Sequence, residues 1–163
     1  LHDTYFVVAH FHYVMVGGTV MGFVGGLHYW WPKMTGKMYS ERLAQVGWLL
    51  VFIGFTLTFL TQFVLGSQGM PRRYWDYLER FRPLHGFSSI GALILGLGFF
   101  VIGYMFIKSL INGPKAPRNP WGSVGFEWMT TTPPHPHNFE STPVIRRGPY
   151  DYHLATEEEL AKT

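Results

Sequence analysis

An all-α, membrane-embedded fold is predicted from three features of this 163-residue chain. Three long apolar stretches carry no Asp, Glu, Lys or Arg, short charged connections separate them, and a proline-rich polar segment follows the third. The expected architecture is an integral membrane helical bundle of three transmembrane helices, at about residues 5–31, 43–66 and 86–107, with an extended C-terminal tail. Residues 1–112 form the expected membrane segment and residues 113–163 the tail. A mean hydropathy of only +0.08 averages these two unlike parts.

The first stretch opens on His2-Asp3-Thr4-Tyr5-Phe6-Val7-Val8-Ala9-His10-Phe11-His12 and carries no charged residue between Asp3 and Lys33. Phe6 to Trp31, at roughly 1.5 Å per residue, exceeds the roughly 30 Å thickness of a hydrocarbon core. Each helical residue turns about 100°, so His10 and His12 project about 200° apart, on almost opposite faces. Ionisable groups are costly at membrane depth and usually mark a cofactor, an ion path or a buried pair. Neutral imidazole ligates iron well, so two haems, one on each side, are one reading; simple hydrogen bonding to neighbouring helices is the other. Gly18, Gly22 and Gly26 offer a small-residue face for helix packing. Trp30 and Trp31 suit an interfacial belt, with Pro32 as the expected helix stop.

Lys33 to Arg42 reads as a short basic loop. In the second stretch Thr56, Thr58, Thr61 and Gln62 cluster toward the far end, where threonine hydroxyls are expected to bond back to helix carbonyls. The second connection holds Gly69-Met70-Pro71-Arg72-Arg73-Tyr74. Adjacent arginines beside a span suit paired carboxylates or phosphates, with lipid headgroups as the competing partner. Asp76, Glu79, Arg80 and Arg82 allow local ion pairs. The third stretch is punctuated by Gly91, Gly96, Gly98 and Gly103, and Lys108 is the expected stop.

Three crossings bring His2, Asp3, Arg72 and Arg73 to one membrane face and the first connection and tail to the other. Lys33, Lys37, Arg42, Lys108, Lys115 and Arg118 outweigh Arg72, Arg73, Arg80 and Arg82, which places the tail on the inner side. The tail holds eight of the eleven prolines. Its His135 and His137 lack further ligands, which argues against a metal site, and Thr156 with Glu159 has capping-box spacing. The absence of cysteine excludes disulfides and thiolate chemistry. A net charge of +3, spread over loops and tail, gives no nucleic-acid stripe. The first residue is Leu1, and the chain reads as part of a longer protein entered at a membrane boundary.

The opening His2-Asp3-Thr4-Tyr5 with Val8-Ala9-His10-Phe11-His12, followed one full span later by Gly69-Met70-Pro71-Arg72-Arg73-Tyr74, resembles subunit I of cytochrome c oxidase, in the haem-copper terminal oxidase superfamily. Asn119-Pro120-Trp121-Gly122, Glu127-Trp128 and Pro133-Pro134 resemble that subunit's tail. The likeness runs to about Phe139 and corresponds to the last three of twelve core helices. One departure is Gln62-Phe63-Val64-Leu65-Gly66, where the family commonly has a histidine after the glutamine.

The resemblance implies that His10 is the proximal ligand of the high-spin haem, where oxygen is reduced, and that His12 is an axial ligand of the low-spin haem, with Phe11 between them. It implies a magnesium site at His2 and Asp3 and haem propionates bound by Arg72 and Arg73. The implied cofactors are two haems, haem a and haem a3, with magnesium; the copper of the complete subunit has its ligands upstream of Leu1. The implied activity is cytochrome c oxidation coupled to reduction of oxygen to water and to proton translocation, as part of a complex; the fragment alone is expected to be inactive. Implied partners are the remaining helices of subunit I, oxidase subunits II and III, cytochrome c and membrane lipids, in a bacterial inner membrane with the tail cytoplasmic. A quinol oxidase and a non-catalytic haem-binding electron carrier are the alternatives.

Overall fold

The computed structural model describes residues 1–139, 141–144, 148 and 150–151. The capping-box pair Thr156 and Glu159 lies outside them. Three helical stretches, Tyr5–Thr35, Glu41–Ser67 and Glu79–Asn112, are long and apolar enough to cross a membrane. There is no strand among the described residues, only isolated backbone bridges. The chain is therefore a helical integral membrane protein, as its hydropathy pattern predicts.

The first stretch comprises α1 (Tyr5–His12), a π-helical segment (Tyr13–Val20) and α2 (Met21–Thr35). Thr4 starts it: its backbone is extended and its side chain accepts the Phe6 N–H. Pro32 does not stop the helix, contrary to expectation. Proline lacks one donor and bends a helix, but here the chain continues one more turn. The stop is Gly36, whose φ of +70° suits a residue without Cβ and whose N–H donates to Pro32 O at 2.8 Å.

Helix α3 (Glu41–Ser67) begins at Ser40, which caps Leu43 N–H, and α4 (Arg82–Asn112) follows a 3-10 turn at Glu79–Phe81. Both helices extend beyond the apolar windows, and α4 passes through Lys108. Hydropathy locates hydrocarbon, whereas a helix continues as long as its backbone bonds and caps allow.

Two compact units can be described separately. The first comprises Leu1–Gly25 and Ser40–Ile107. Within it α3 and α4 run antiparallel with their backbones almost in contact. A Cβ on Gly54 would lie 2.3 Å from Leu95 N, and one on Gly91 would lie 2.7 Å from Thr58 N. Gly47 meets Ile102 and Gly98 meets Val51 in the same register. A Cβ on Gly18 or Gly22, two of the expected packing-face glycines, would meet nothing within 4 Å among the described residues. Thr58 and Thr61 hydroxyls donate to the carbonyls of Gly54 and Leu57, four residues back, as predicted. Gln62 Nε2 donates to Ser88 Oγ at 3.2 Å, and Ser88 Oγ to Thr58 O at 3.1 Å. Helix α1 lies on α3 through Phe6–Phe63 and Tyr13–Phe55 ring contacts, and Gly66 accommodates the Phe6 backbone.

The second unit comprises Gly26–Tyr39 and Lys108–Thr163. Lys33, expected in a solvated loop, is buried. Its ammonium donates to Thr130 O (3.0 Å), Thr131 O (3.2 Å) and Thr132 Oγ1 (2.8 Å) and lies 4.9 Å from the centre of a Trp128 ring. Trp128, fully buried in a 3-10 turn at Phe126–Trp128, donates through Nε1 to Tyr29 Oη. Arg118 donates to the carbonyls of Met129 and Thr130. The described part of the tail, with little regular structure beyond that turn, packs around this lysine.

Candidate functional site

Helix α1 ends at His12, so the 100° rule applies to the whole His10-Phe11-His12 element. Ala9 is fully buried, whereas His10 and Phe11 are exposed. His12, on the other side, is half-buried with its ring stacked on Phe59, centroids 4.3 Å apart and planes at 15°. Its Nδ1 lies 2.7 Å from Val8 O. A carbonyl only accepts, so Nδ1 carries the proton and Nε2 presents its lone pair. This is how a metal-binding imidazole is commonly oriented, one nitrogen donating to a carbonyl and the other left for the metal. Among the described residues neither histidine hydrogen-bonds to another helix.

The polar end is assembled by backbone pairing. Thr4 and Pro71 form an antiparallel bridge, Tyr5 N–H donates to Met70 O at 3.0 Å, and Arg72 N–H to Asp3 O at 2.9 Å. Asp3 (φ 53°) and Arg73 (φ 58°) both occupy the left-handed region, at a cost of about 1–3 kcal/mol each that surrounding bonds must offset. Arg72 directs Nε (3.0 Å) and Nη2 (2.7 Å) onto Asp3 Oδ1, while His2 Nδ1 lies 3.1 Å from Asp3 Oδ2. The Arg72 hydrogen bond, then the His2 charge, hold the Asp3 carboxyl below its ordinary range. The structure therefore joins His2, Asp3 and Arg72, as the crossing number predicts. Arg73 is exposed and is not drawn into this cluster.

The donor sets can be tested against the implied groups. An imidazole with Nε2 free and a second on the opposite helix face fit two separate irons. No group of three or more metal-ligating side chains exists among the described residues. His2 and Asp3 offer one nitrogen and one carboxylate oxygen beyond the one Arg72 occupies. They match a minority share of a six-coordinate, oxygen-preferring cation.

Sequence reading missed a polar chain beside this cluster. Tyr5 Oη lies 2.9 Å from Tyr74 Oη, which lies 2.6 Å from His85 Nε2; His85 Nδ1 and Gln62 Oε1 are buried without a partner among the described residues. These residues are far apart in sequence and share no motif spacing, so aromatic density in the second connection was the sole signal.

Comparison with known proteins yields a consistent set. The family model described as cytochrome c and quinol oxidase polypeptide I matches residues 1–130. A cytochrome c oxidase subunit 1 of Synechocystis sp. is 46% identical over 167 positions, covering 100% of this chain and 30% of that protein. A heme-copper oxidase subunit I+III of Aeropyrum pernix is 49% identical over 161 positions, covering 98% and 19%. A cytochrome c oxidase subunit 1 of Bacillus sp. is 46% identical over 153 positions, covering 89% and 24%. The chain thus spans less than a third of the length of these relatives.

Proposed function

This chain belongs to the cytochrome c and quinol oxidase polypeptide I family, and from that premise we propose that it supplies the haem-holding helix of a respiratory terminal oxidase. His10 would hold the iron of the high-spin haem and His12 that of the low-spin haem. The observation that carries this is the His12 Nδ1 to Val8 O bond of 2.7 Å, which leaves Nε2 as a ligand while His10 faces the opposite way. The bound haems supply electron transfer and, at the high-spin site, oxygen binding.

The chain's own residues orient and neutralise. Stacking on Phe59 and bonding to Val8 fix the His12 ring in plane and tautomer. Phe11 separates the two histidines by one residue of helix, so the groups they would hold lie on opposite sides of α1. Arg72, braced by Asp3, and exposed Arg73 offer guanidinium charge to haem propionates at the same end of α1. His2 and Asp3 would offer one nitrogen and one carboxylate oxygen to a magnesium ion. The copper ligands, oxidase subunits II and III and the docking of cytochrome c belong to the larger complex. The six basic residues on the connection-and-tail side support a reading with that side in the cytoplasm of a bacterial cell. Two of the relatives above are named cytochrome c oxidases, which favours cytochrome c over quinol as donor.

The test is a reduced-minus-oxidised visible spectrum of the membrane complex, with and without carbon monoxide. His10→Asn is expected to abolish the carbon monoxide-sensitive component and His12→Asn the low-spin component. Retention of both components in either variant refutes the assignment.

A further inference from the structure

In the second unit, residues 36–38 and 114–116 pair as a short antiparallel ladder. Met38 N–H donates to Pro114 O at 2.9 Å and Ala116 N–H to Gly36 O at 2.8 Å, with Lys37 and Lys115 directly opposite. Bonds that flank a facing pair in this way make it the non-hydrogen-bonded type, whose side chains approach most closely. Like charges so placed repel. Neither lysine forms an ion pair among the described residues. Lys37 Nζ instead donates to the carbonyls of Leu110 and Ile111, at the end of α4, and Lys115 is exposed.

The surroundings select the counter-ion. Trp30, Met34, Leu110 and Ile111, all at ends of membrane-capable helices in this unit, are 46%, 53%, 48% and 67% exposed. Inorganic phosphate would leave exposed Leu110 and Ile111, whose carbonyls take the Lys37 ammonium, wet, and an acidic peptide would have to cover these apolar side chains. An amphiphilic anion satisfies both parts, with phosphate on the lysines and acyl chains against these side chains, where tryptophan also favours the interface. We propose that Lys37 and Lys115 bind the phosphodiester of one anionic phospholipid, with its acyl chains along Leu110 and Ile111. This site does not depend on the haem assignment.

The experiment is native mass spectrometry of the intact oxidase complex titrated with phosphatidylglycerol or phosphatidylcholine. Each lysine near an anionic headgroup strengthens binding about fivefold, so K37Q/K115Q is expected to weaken one phosphatidylglycerol site about 25-fold. Phosphatidylcholine binding is expected to be unchanged. K115Q alone, which leaves the Lys37 bonds to α4 intact, is expected to weaken it about fivefold, and K115R to restore it. Wild-type affinity in K115Q overturns the proposal, as does an equal loss in Arg42→Gln, which would indicate diffuse electrostatics. Displacement of the lipid by millimolar inorganic phosphate would show a bare anion site, and cross-linking of Lys115 to another polypeptide would show a protein interface; either also overturns it.

Discussion

Gly66→Ala puts the relation between packing and the haem ligands to the test. A Cβ at Gly66 would lie 1.9 Å from Phe6 N, 2.6 Å from Phe6 Cα and 2.7 Å from Phe6 Cβ. Since non-bonded carbons settle at about 3.5–4.0 Å, the first turn of α1 must move away from α3 by roughly 1.5 Å. Overpacking of this kind costs about 1–3 kcal/mol, against which alanine's better helix propensity returns up to about 1 kcal/mol. A net loss of about 1–2 kcal/mol is expected. Phe6 precedes His10 by four residues and His12 by six, about 6 Å and 9 Å along the helix axis, so both ligands are displaced with it. Gly54→Ala is the comparison, because its Cβ would meet Leu95 N at 2.3 Å and strain α3 against α4 without touching α1. Thermal denaturation of the complex, followed in parallel with its reduced-minus-oxidised spectrum, separates the two. Both variants are expected to melt earlier, and Gly66→Ala alone to shift or broaden the haem bands. An unchanged melt and spectrum in Gly66→Ala, or equal haem perturbation in Gly54→Ala, would refute the reasoning.

Two further outcomes follow from the polar contacts. Because Arg72 and His2 lower the Asp3 pKa in the folded state, their stabilisation is fully present above the unfolded aspartate value of about 3.9 and is lost as pH falls through the lowered folded value. Asp3→Asn is therefore expected to flatten that acid limb and to lower the melting temperature by a constant amount across neutral-to-alkaline pH, as read by melting temperature against pH. Lys33→Met is expected to deprive Thr130 O, Thr131 O and Thr132 Oγ1 of their shared donor. With bonds to charged groups contributing about 1.5–3 kcal/mol, local opening should ease by about 3 kcal/mol. Amide exchange at Trp128 and Met129 should then accelerate about 100-fold, and unchanged exchange would show that the lysine does not hold the tail.

The spans, the opposing directions of His10 and His12, and the meeting of Asp3 with Arg72 were all legible in the sequence. Each follows from a rule of short range or of simple counting: apolar length, turn per residue, and the number of crossings. The end of α2 was not legible, because Pro32 and Gly36 both signal a stop and the backbone bonds of this particular turn decide between them. Nor was the π-helical segment at Tyr13–Val20, which no charge or proline announces. Lys33 was misplaced because a lysine after an apolar run reads as solvated, while its acceptors lie 97 to 99 residues away. The separate directions of Arg72 and Arg73 depend on one left-handed backbone angle, which neighbouring side-chain chemistry does not reveal.

The seam between α3 and α4 has a consequence for evolution by insertion and deletion. Gly47 and Gly54 are seven residues apart, as are Gly91 and Gly98, and each faces backbone or a neighbouring side chain with no room for a Cβ. One residue gained or lost between the members of either pair would rotate the far glycine by about 100° and turn a bulkier neighbour into the gap. Length in these two intervals is therefore expected to be under tighter selection than residue identity at the exposed positions between them. The second connection, whose residues 68–78 lie between the helical stretches, can change length without disturbing either pair, provided the Met70–Arg72 pairing to Asp3 and Tyr5 is kept. Variation in chain length among related proteins should accordingly collect outside 47–54 and 91–98.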